Sequence, residues 1–305
     1  MIQYSLNLRF KMGEYRKFVR YIPLDKSIKF LRRDQSYKDH KKTMGWCETF
    51  ETKDDFFRAN FVQNNSYKML WDQLNKRTYE LIKLFINPSQ NILSLASGGC
   101  GVELKLSEDG FDITCSDMKI SSFHKQLKVM FPAAKFKKID FLKDNISGSF
   151  DNIMAIEVVL ALSPDEFKTL LKKSHDALKN KGYLFLTVDV SPPSWRNNFI
   201  IEIVYKFDTL ISNAVRSLLN YKTRMRPHHL GWRFKNSFVE KLVYEQKYKI
   251  RHYEEICYEN EPRRVFNFSV KIFKKLFGAK ITHHILYNFG KLIRTPYRRY
   301  YILQK

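Results

Sequence analysis

The chain of 305 residues is long enough for one sizeable α/β domain with additions, or for two small domains. Hydrophobic residues make up 44% of it and aromatic residues 15%, which excludes global disorder. Lysine and arginine number 54 against 31 acidic residues. The net charge of +23 favours an anionic partner: nucleic acid, an anionic lipid surface or a phosphorylated substrate. The composition of an AT-rich genome is the alternative explanation of that charge.

The four cysteines are scattered and form no Cys-x-x-Cys pair, which indicates a reducing compartment and excludes a zinc ribbon or a disulfide scaffold. The N-terminus is interrupted by charged residues and has no signal-peptide core. No stretch approaches the ~18 uncharged apolar residues of a membrane span. We therefore expect a cytoplasmic protein, with a place at the inner face of a membrane as the alternative.

Residues 1–90 are predicted to form a helical N-terminal extension that caps the domain. Two short apolar patches, at 2–10 and 18–22, are separated by basic residues. Over 53–85 apolar residues recur at helical spacing, and Pro88 stops the helix. The aromatic residues of this helical stretch either pack in the core or close over a bound ligand, and core packing is the commoner reason for such periodicity.

The stretch 91–119 reads as a strand, a loop of small residues, a short helix, a second strand and a terminal acid. Small residues let the backbone approach a ligand closely, and a helix N-terminus offers free N–H donors. Asp117 follows the loop by about 20 residues, the distance at which an acid accepts hydrogen bonds from a ribose in nucleotide-binding βαβ units. The loop residues are Ala96, Ser97, Gly98, Gly99, Cys100 and Gly101.

Strands and helices alternate after Asp117. Ser163 is predicted to cap a helix, with Pro164 in its first turn and Glu166 three residues after the cap. Further helices are predicted over 121–130, 199–219 and 236–246. Further strands are predicted over 135–139, 150–157, 183–188, 249–258 and 297–303.

The order and spacing of these elements over 91–190 resemble the class I S-adenosylmethionine-dependent methyltransferases, in particular their small-molecule members. In that family a hydrophobic strand runs into a Gly-x-Gly-x-Gly loop. Here Ala96, Gly98 and Cys100 take the three glycine positions, and Ser94 replaces the acid usual in the strand. The resemblance implies a Rossmann-like, doubly wound α/β fold with a mostly parallel seven-stranded sheet of order 3-2-1-4-5-7-6, in a domain spanning 91–305.

The resemblance also implies S-adenosylmethionine as cofactor. Asp140 would face the adenine amino group with Phe141 beside the ring, although a turn-capping role is an equal alternative for Asp140. Glu157 would begin the segment that lines the methionine end. Because the methyl donor is already activated, no metal and no covalent intermediate are expected. The predicted cofactor-binding residues are Ala96, Ser97, Gly98, Gly99, Asp117, Met118, Asp140, Phe141 and Glu157.

Residues 191–247 are predicted to form an acceptor lid, which includes a basic loop over 221–234. In the family this region commonly covers the acceptor. A guanidinium matches phosphate or carboxylate with two parallel hydrogen bonds, and a histidine can deprotonate a hydroxyl acceptor near neutral pH. A solvated basic loop with structural histidines is the alternative. The candidate substrate-binding residues are Arg224, Arg226 and Arg233, and the candidate bases are His228 and His229.

The C-terminal segment is strongly basic. Residues 262–305 contain eleven lysines or arginines and no acid, interleaved with large apolar residues. The stretch 262–295 is predicted to be an amphipathic insertion, either a helix pair that lies on anionic lipid or a helical unit packed against the sheet.

We therefore expect a methyltransferase that uses S-adenosylmethionine and acts on oxygen or nitrogen of a small, anionic or lipid-linked acceptor. One alternative is an RNA methyltransferase, favoured by the charge and the mixture of aromatic and basic residues. The other is a non-catalytic binding protein that retains the fold, which the residues at the glycine positions of the loop permit.

Overall fold

A computed structural model describes residues 15–23, 50–61, 69–190, 210, 217, 225–256, 267–292 and 298–305. Arg224 lies outside these ranges, as does the helix predicted over 199–219 except for Leu210 and Ser217. None of the helices in the described ranges combines the length and apolar character that crossing a bilayer requires.

Seven of the strands form one mixed sheet. The nine described strands are β1 (Tyr15–Pro23), β2 (Asn91–Ser94), β3 (Asp112–Asp117), β4 (Lys135–Lys138), β5 (Phe150–Ala155), β6 (Leu178–Asp189), β7 (Met225–Phe234), β8 (Lys249–Ile256) and β9 (Arg298–Gln304). The sheet order is β4-β3-β2-β5-β6-β9-β8, and β9 alone is antiparallel to its neighbours. The predicted order 3-2-1-4-5-7-6 is therefore confirmed.

The described part of the chain contains seven α-helices, and several of them pack against the two faces of this sheet. They are α1 (Lys53–Phe61), α2 (Met69–Phe85), α3 (Gly101–Glu108), α4 (Ser122–Met130), α5 (Pro164–Ala177), α6 (Asn236–Glu245) and α7 (Asn267–Leu292). Successive residues of β2 enter different clusters: Leu93 lies in one with Leu170 of α5 and Val239 of α6, and Ile92 lies in another with Leu81 of α2. Burial on both faces is typical of doubly wound sheets.

The start of α5 follows the predicted capping pattern. Ser163 Oγ accepts a hydrogen bond from the Glu166 N–H (3.4 Å), and Glu166 Oε2 accepts one from the Ser163 N–H (2.9 Å). Both pairs satisfy donors that a helix start leaves open. The following strand begins earlier than predicted, because Leu178 already pairs with Phe150 of β5.

Two predictions about secondary structure outside the main sheet were wrong. The N-terminal extension is not wholly helical, since β1 is a strand, and the predicted basic loop over 221–234 is strand β7 from Met225 onward. The two strands pair antiparallel, with Tyr15 opposite Phe234. Phe234 also bridges to Val190, directly after β6, so this two-stranded ribbon reaches the end of the main sheet.

Candidate functional site

Parallel strands bring their carboxyl ends to one edge of a sheet, which is where α/β sheets bind ligands. The pairing register aligns Ser94 of β2 with Cys115 of β3 and with Met154 of β5. The segments that follow these three strands therefore lie side by side. They contain the small-residue loop, Asp117 and Glu157, and together they form the candidate site.

The loop between β2 and α3 turns through three residues in the left-handed region. Ala96, Gly98 and Cys100 have φ of 52°, 53° and 55°. These are the three positions at which the family resemblance expects glycine. The backbone therefore has the conformation that favours glycine even at Ala96 and Cys100. A side chain at such a φ costs about 1–2 kcal/mol. Hydrogen bonds offset this strain, among them Cys100 N–H to Ser97 O (2.9 Å).

Asp117 contacts the loop directly. The Gly98 N–H donates to Asp117 Oδ2 (3.3 Å), and the Lys119 N–H donates to Oδ1 (3.5 Å). The Ser97 N–H and hydroxyl both donate to Ser116 O, at 2.9 and 3.0 Å. The structure thus brings the predicted loop and the predicted acid together. Their contacts with a cofactor stay a prediction, as do those of the half-buried Gly99 and Met118.

A carboxyl group that the sequence analysis missed lies beneath the loop. Ser94 Oγ donates to Glu103 Oε1 (2.6 Å), and Glu103 sits in the first turn of α3, buried. Burial raises the pKa of Glu103, and the Ser94 hydroxyl opposes that effect. The strand therefore lacks an acid of its own but receives a carboxyl group from the adjacent helix. In the sequence, the one signal for this contact is the position of Glu103 in the first helical turn after the loop.

Helix α1 packs against the start of α3, directly after the loop. A Cβ atom at Gly101 would lie 2.5 Å from Asn60 Oδ1, so any other residue there would require the Asn60 side chain of α1 to move. Phe56 of α1 is fully buried, and its ring packs edge-on against that of Phe131 at 5.3 Å between centroids. For Phe56 the core-packing interpretation is therefore the correct one.

Asp140 caps a turn. Its Oδ1 accepts a hydrogen bond from the Leu142 N–H (3.2 Å), and its own N–H donates to Asp144 Oδ2 (2.9 Å). Phe141 is buried in the core with Ile139. The turn-capping alternative for Asp140 thus describes its contacts in the structure, and the adenine contacts predicted for Asp140 and Phe141 stay predictions.

Glu157 belongs to a buried charged cluster at the same edge, which we call the Glu157 cluster: Glu157, Asp189 and Arg298. Glu157 has a left-handed backbone (φ 63°), and its N–H donates to Thr187 Oγ1 (2.6 Å). Its carboxylate contacts the Arg298 guanidinium, whose Nε donates to Asp189 Oδ1 (3.0 Å). The side chains of Asp189 and Arg298 are each 3% exposed. They meet because Asp189 ends β6 opposite Arg298, the first residue of β9.

The Glu157 cluster contains two carboxylates and one guanidinium, so taken alone it carries one excess negative charge when fully ionised. Burial raises the pKa of Glu157 to about 7; Arg298 opposes the rise and Asp189 adds to it. Glu157 Oε2 is buried and accepts no hydrogen bond from the residues that the structure describes. A cationic ligand group at this edge would be stabilised by that charge.

The predicted acceptor residues are placed unevenly. Arg226, His228 and His229 lie in β7, where the structure describes their backbone alone. Arg233, near the end of β7, is buried with 1% of its surface exposed. The ribbon packs against β6 and against the 3-10 turn Val159–Ala161 that follows Glu157, so Arg233 comes to the ligand edge. Among the described residues no group of His, Cys, Asp and Glu has a metal-binding arrangement.

Three features match the family pattern: the strand order, the reversal of β9 as the single antiparallel strand, and the left-handed loop of small residues. This loop contacts Asp117 at the carboxyl ends of the central strands. The chain has the class I methyltransferase fold. Comparison of the sequence with protein-family models gave no match, and comparison with curated proteins gave none either.

Solved structures similar to this methyltransferase fold are distant in sequence. One is the 1,6-didemethyltoxoflavin-N1-methyltransferase of Burkholderia thailandensis, with S-adenosylhomocysteine bound: 11% identity, 76% of this chain and 78% of that chain covered, TM-score 0.49. The magnesium protoporphyrin IX methyltransferase of Synechocystis PCC 6803 is 11% identical, with 88% and 97% covered and a TM-score of 0.49. An S-adenosylmethionine-dependent methyltransferase of Methanosarcina mazei is 14% identical, with 74% and 96% covered and a TM-score of 0.47. The fold assignment therefore rests on the strand order and the loop geometry of this chain and not on these comparisons.

Proposed function

We propose that the protein is a methyltransferase that uses S-adenosylmethionine and methylates oxygen or nitrogen of a small acceptor. The observation that carries the proposal is the contact between the Gly98 N–H and the Asp117 carboxylate at the carboxyl edge of a sheet with this strand order. An acid at the end of the second strand of a βαβ unit is the usual partner of a ribose.

The residues at this edge suit the chemical parts of that cofactor. Asp117 would accept hydrogen bonds from the ribose hydroxyls, and Gly98 and Gly99 let a ligand approach the loop backbone closely. The Glu157 cluster supplies buried negative charge on the other side of the loop, where a sulfonium would be compensated. When bound, the cofactor supplies an activated methyl group, so the protein mainly orients the acceptor and excludes water.

Glu157 is also suited to hold a proton. A carboxyl with a pKa of about 7 exchanges protons readily at neutral pH, and its Oε2 accepts no hydrogen bond within the described residues. An acceptor hydroxyl or protonated amine could lose its proton to this oxygen. His228 and His229 are the alternative proton acceptors.

We propose a small, anionic or lipid-linked acceptor. The buried Arg233 at the ligand edge supports an anionic group, because a guanidinium binds carboxylate or phosphate well. The net charge of +23 supports RNA as the alternative acceptor. RNA binding that falls steeply with salt would favour that alternative.

Isothermal titration with S-adenosylmethionine and S-adenosylhomocysteine tests the proposal. We expect both to bind the wild type and Asp117→Asn to weaken both at least tenfold, because the amide loses the charge that accepts the ribose hydroxyls. Asp112→Asn is the matched control, since Asp112 begins the same strand and pairs on the surface with Lys135 (2.5 Å). Absence of binding by the folded wild type would favour the non-catalytic alternative, and equal losses in both variants would contradict the role of Asp117.

A further inference from the structure

Helix α7 is inserted at the ligand edge of the sheet. Strand β8 ends at Ile256, β9 begins at Arg298, and these two residues pair with each other. Arg298 also pairs with Asp189, the last residue of β6. The insertion therefore leaves and re-enters the sheet at the edge that carries Asp117 and Glu157.

This helix carries most of the large apolar side chains that are exposed in the described ranges. The described part of the chain exposes twelve large hydrophobic side chains, and seven of them lie on α7. Leu276 is 68% exposed and Leu292 is 79% exposed. The rings of Phe273 and Phe277 stack on each other at 5.8 Å between centroids. A patch of this kind on one helix marks a surface that something covers.

The helical spacing places much of this surface on one face. Gly278 has a non-helical conformation (φ 78°, ψ 169°) and divides α7 into two segments. In the second segment Ile281, Ile285, Phe289 and Leu292 share a stripe, because residues three and four apart lie on one face. Each residue turns the helix by about 100°. The buried residues Thr282, Leu286 and Gly290 therefore form the adjacent face of the helix. The apolar stripe lies beside this buried face and stays exposed.

The charge of α7 has one sign. It carries five lysines and no acid, and Lys280 and Lys291 of the second segment are exposed beside the apolar stripe, on the flank opposite the buried residues. A second copy of the chain would bring the same lysines against these, so self-association through this face is opposed by charge. RNA would pair with the lysines but leave the apolar stripe in water. An anionic bilayer satisfies both, because its headgroups meet the lysines and its acyl boundary takes the apolar face.

We propose that the exposed apolar face of α7 lies on an anionic phospholipid bilayer and so brings the ligand edge of the sheet to the membrane surface. The proposal concerns a surface separate from the cofactor site and does not depend on S-adenosylmethionine. Where the proposed function also holds, a membrane-associated acceptor would reach the ligand edge without release into solution.

Co-sedimentation of the full chain with vesicles tests this. Vesicles of phosphatidylcholine alone are compared with vesicles containing about 30% phosphatidylglycerol, at ~0.1 M and ~0.5 M salt. We expect at least tenfold stronger partitioning to the anionic vesicles at low salt, and a large loss at high salt. No binding to the anionic vesicles would overturn the proposal.

Two variants locate the binding face. Ile281→Ser combined with Ile285→Ser is expected to weaken partitioning at least tenfold, with the fold unchanged because both side chains are half exposed. The matched control is Leu84→Ser with Val129→Ser, which alters apolar side chains that are 75% and 85% exposed on α2 and α4. The control is expected to bind as the wild type does.

The outcomes separate the possible occupants. Equal losses in both double variants would overturn the assignment to α7. A wild type that forms dimers lost in Ile281→Ser with Ile285→Ser, and that ignores vesicles, would identify a second copy instead. Binding of a short single-stranded RNA without any vesicle binding would identify nucleic acid instead.

Discussion

The Glu157 cluster is expected to make the stability of the protein fall as pH rises, and Glu157→Gln should remove that dependence. Burial raises the pKa of Glu157 from 4.5 to about 7 in the folded protein. Between these values the folded state binds a proton that the unfolded state has released, so the free energy of unfolding decreases with pH. The decrease begins near pH 4.5 and is complete above pH 7.

The magnitude follows from the shift. At about 1.36 kcal/mol per unit, a rise from 4.5 to about 7 corresponds to about 3 kcal/mol between about pH 4 and pH 8. Glutamine has nearly the same shape and no charge, and Arg298 keeps its hydrogen bond to Asp189. At pH 8 the variant should therefore be at least as stable as the wild type, although a carboxylate that contacts a guanidinium has been removed.

Urea denaturation of both proteins at several values between about pH 4 and pH 8 measures the difference in free energy of unfolding, which cancels the contributions of other titrating groups. We expect the variant to gain on the wild type as pH rises. Asp189→Asn is the control, because loss of its charge lowers the pKa of Glu157 and moves the dependence to lower pH. A difference that is flat with pH, or a variant that loses several kcal/mol at pH 8, would refute the reasoning.

Three further substitutions test local features by chemical or thermal denaturation. Ser94→Ala leaves the buried Glu103 without its hydroxyl donor (2.6 Å) and should cost about 1–3 kcal/mol, whereas an unchanged value would mean that water replaces the hydroxyl. Gly182→Ala puts a Cβ 2.5 Å from Asp151 O and should cost at least about 1–3 kcal/mol, because backbone has to move. Gly110→Ala has open space but a φ of +87°, so it should cost about 1–2 kcal/mol from strain alone, and a larger loss would contradict the open surroundings.

The sheet was predictable because its signals are local. The alternation of strands and helices, the loop between β2 and α3, and the capping pair Ser163 and Glu166 each lie within a few residues of one another. The acid that meets the loop was also predictable, since Asp117 ends the next strand in a parallel unit. The residues at the glycine positions, Ala96 and Cys100, obscured the loop in sequence without changing its backbone.

The features that could not be predicted depend on contacts between residues that are far apart in the sequence. Strand β1 could not be recognised because its partner β7 is more than two hundred residues away and the pair shares no local pattern. The partners of Glu157 were missed for the same reason: Arg298 and Asp189 become its neighbours only when β9 pairs with β6. The apolar stripe of α7 was visible as periodicity, but its exposure needed the structure.

The most direct test of the central claim is a crystal structure of the protein grown with S-adenosylhomocysteine. We predict that the ribose hydroxyls contact the Asp117 carboxylate, that the backbone of Gly98 lies against the ligand, and that the sulfur lies on the side of the loop that carries Glu157. A ligand bound elsewhere, or an adenosine that leaves Asp117 bonded only to Gly98 and Lys119, would contradict it.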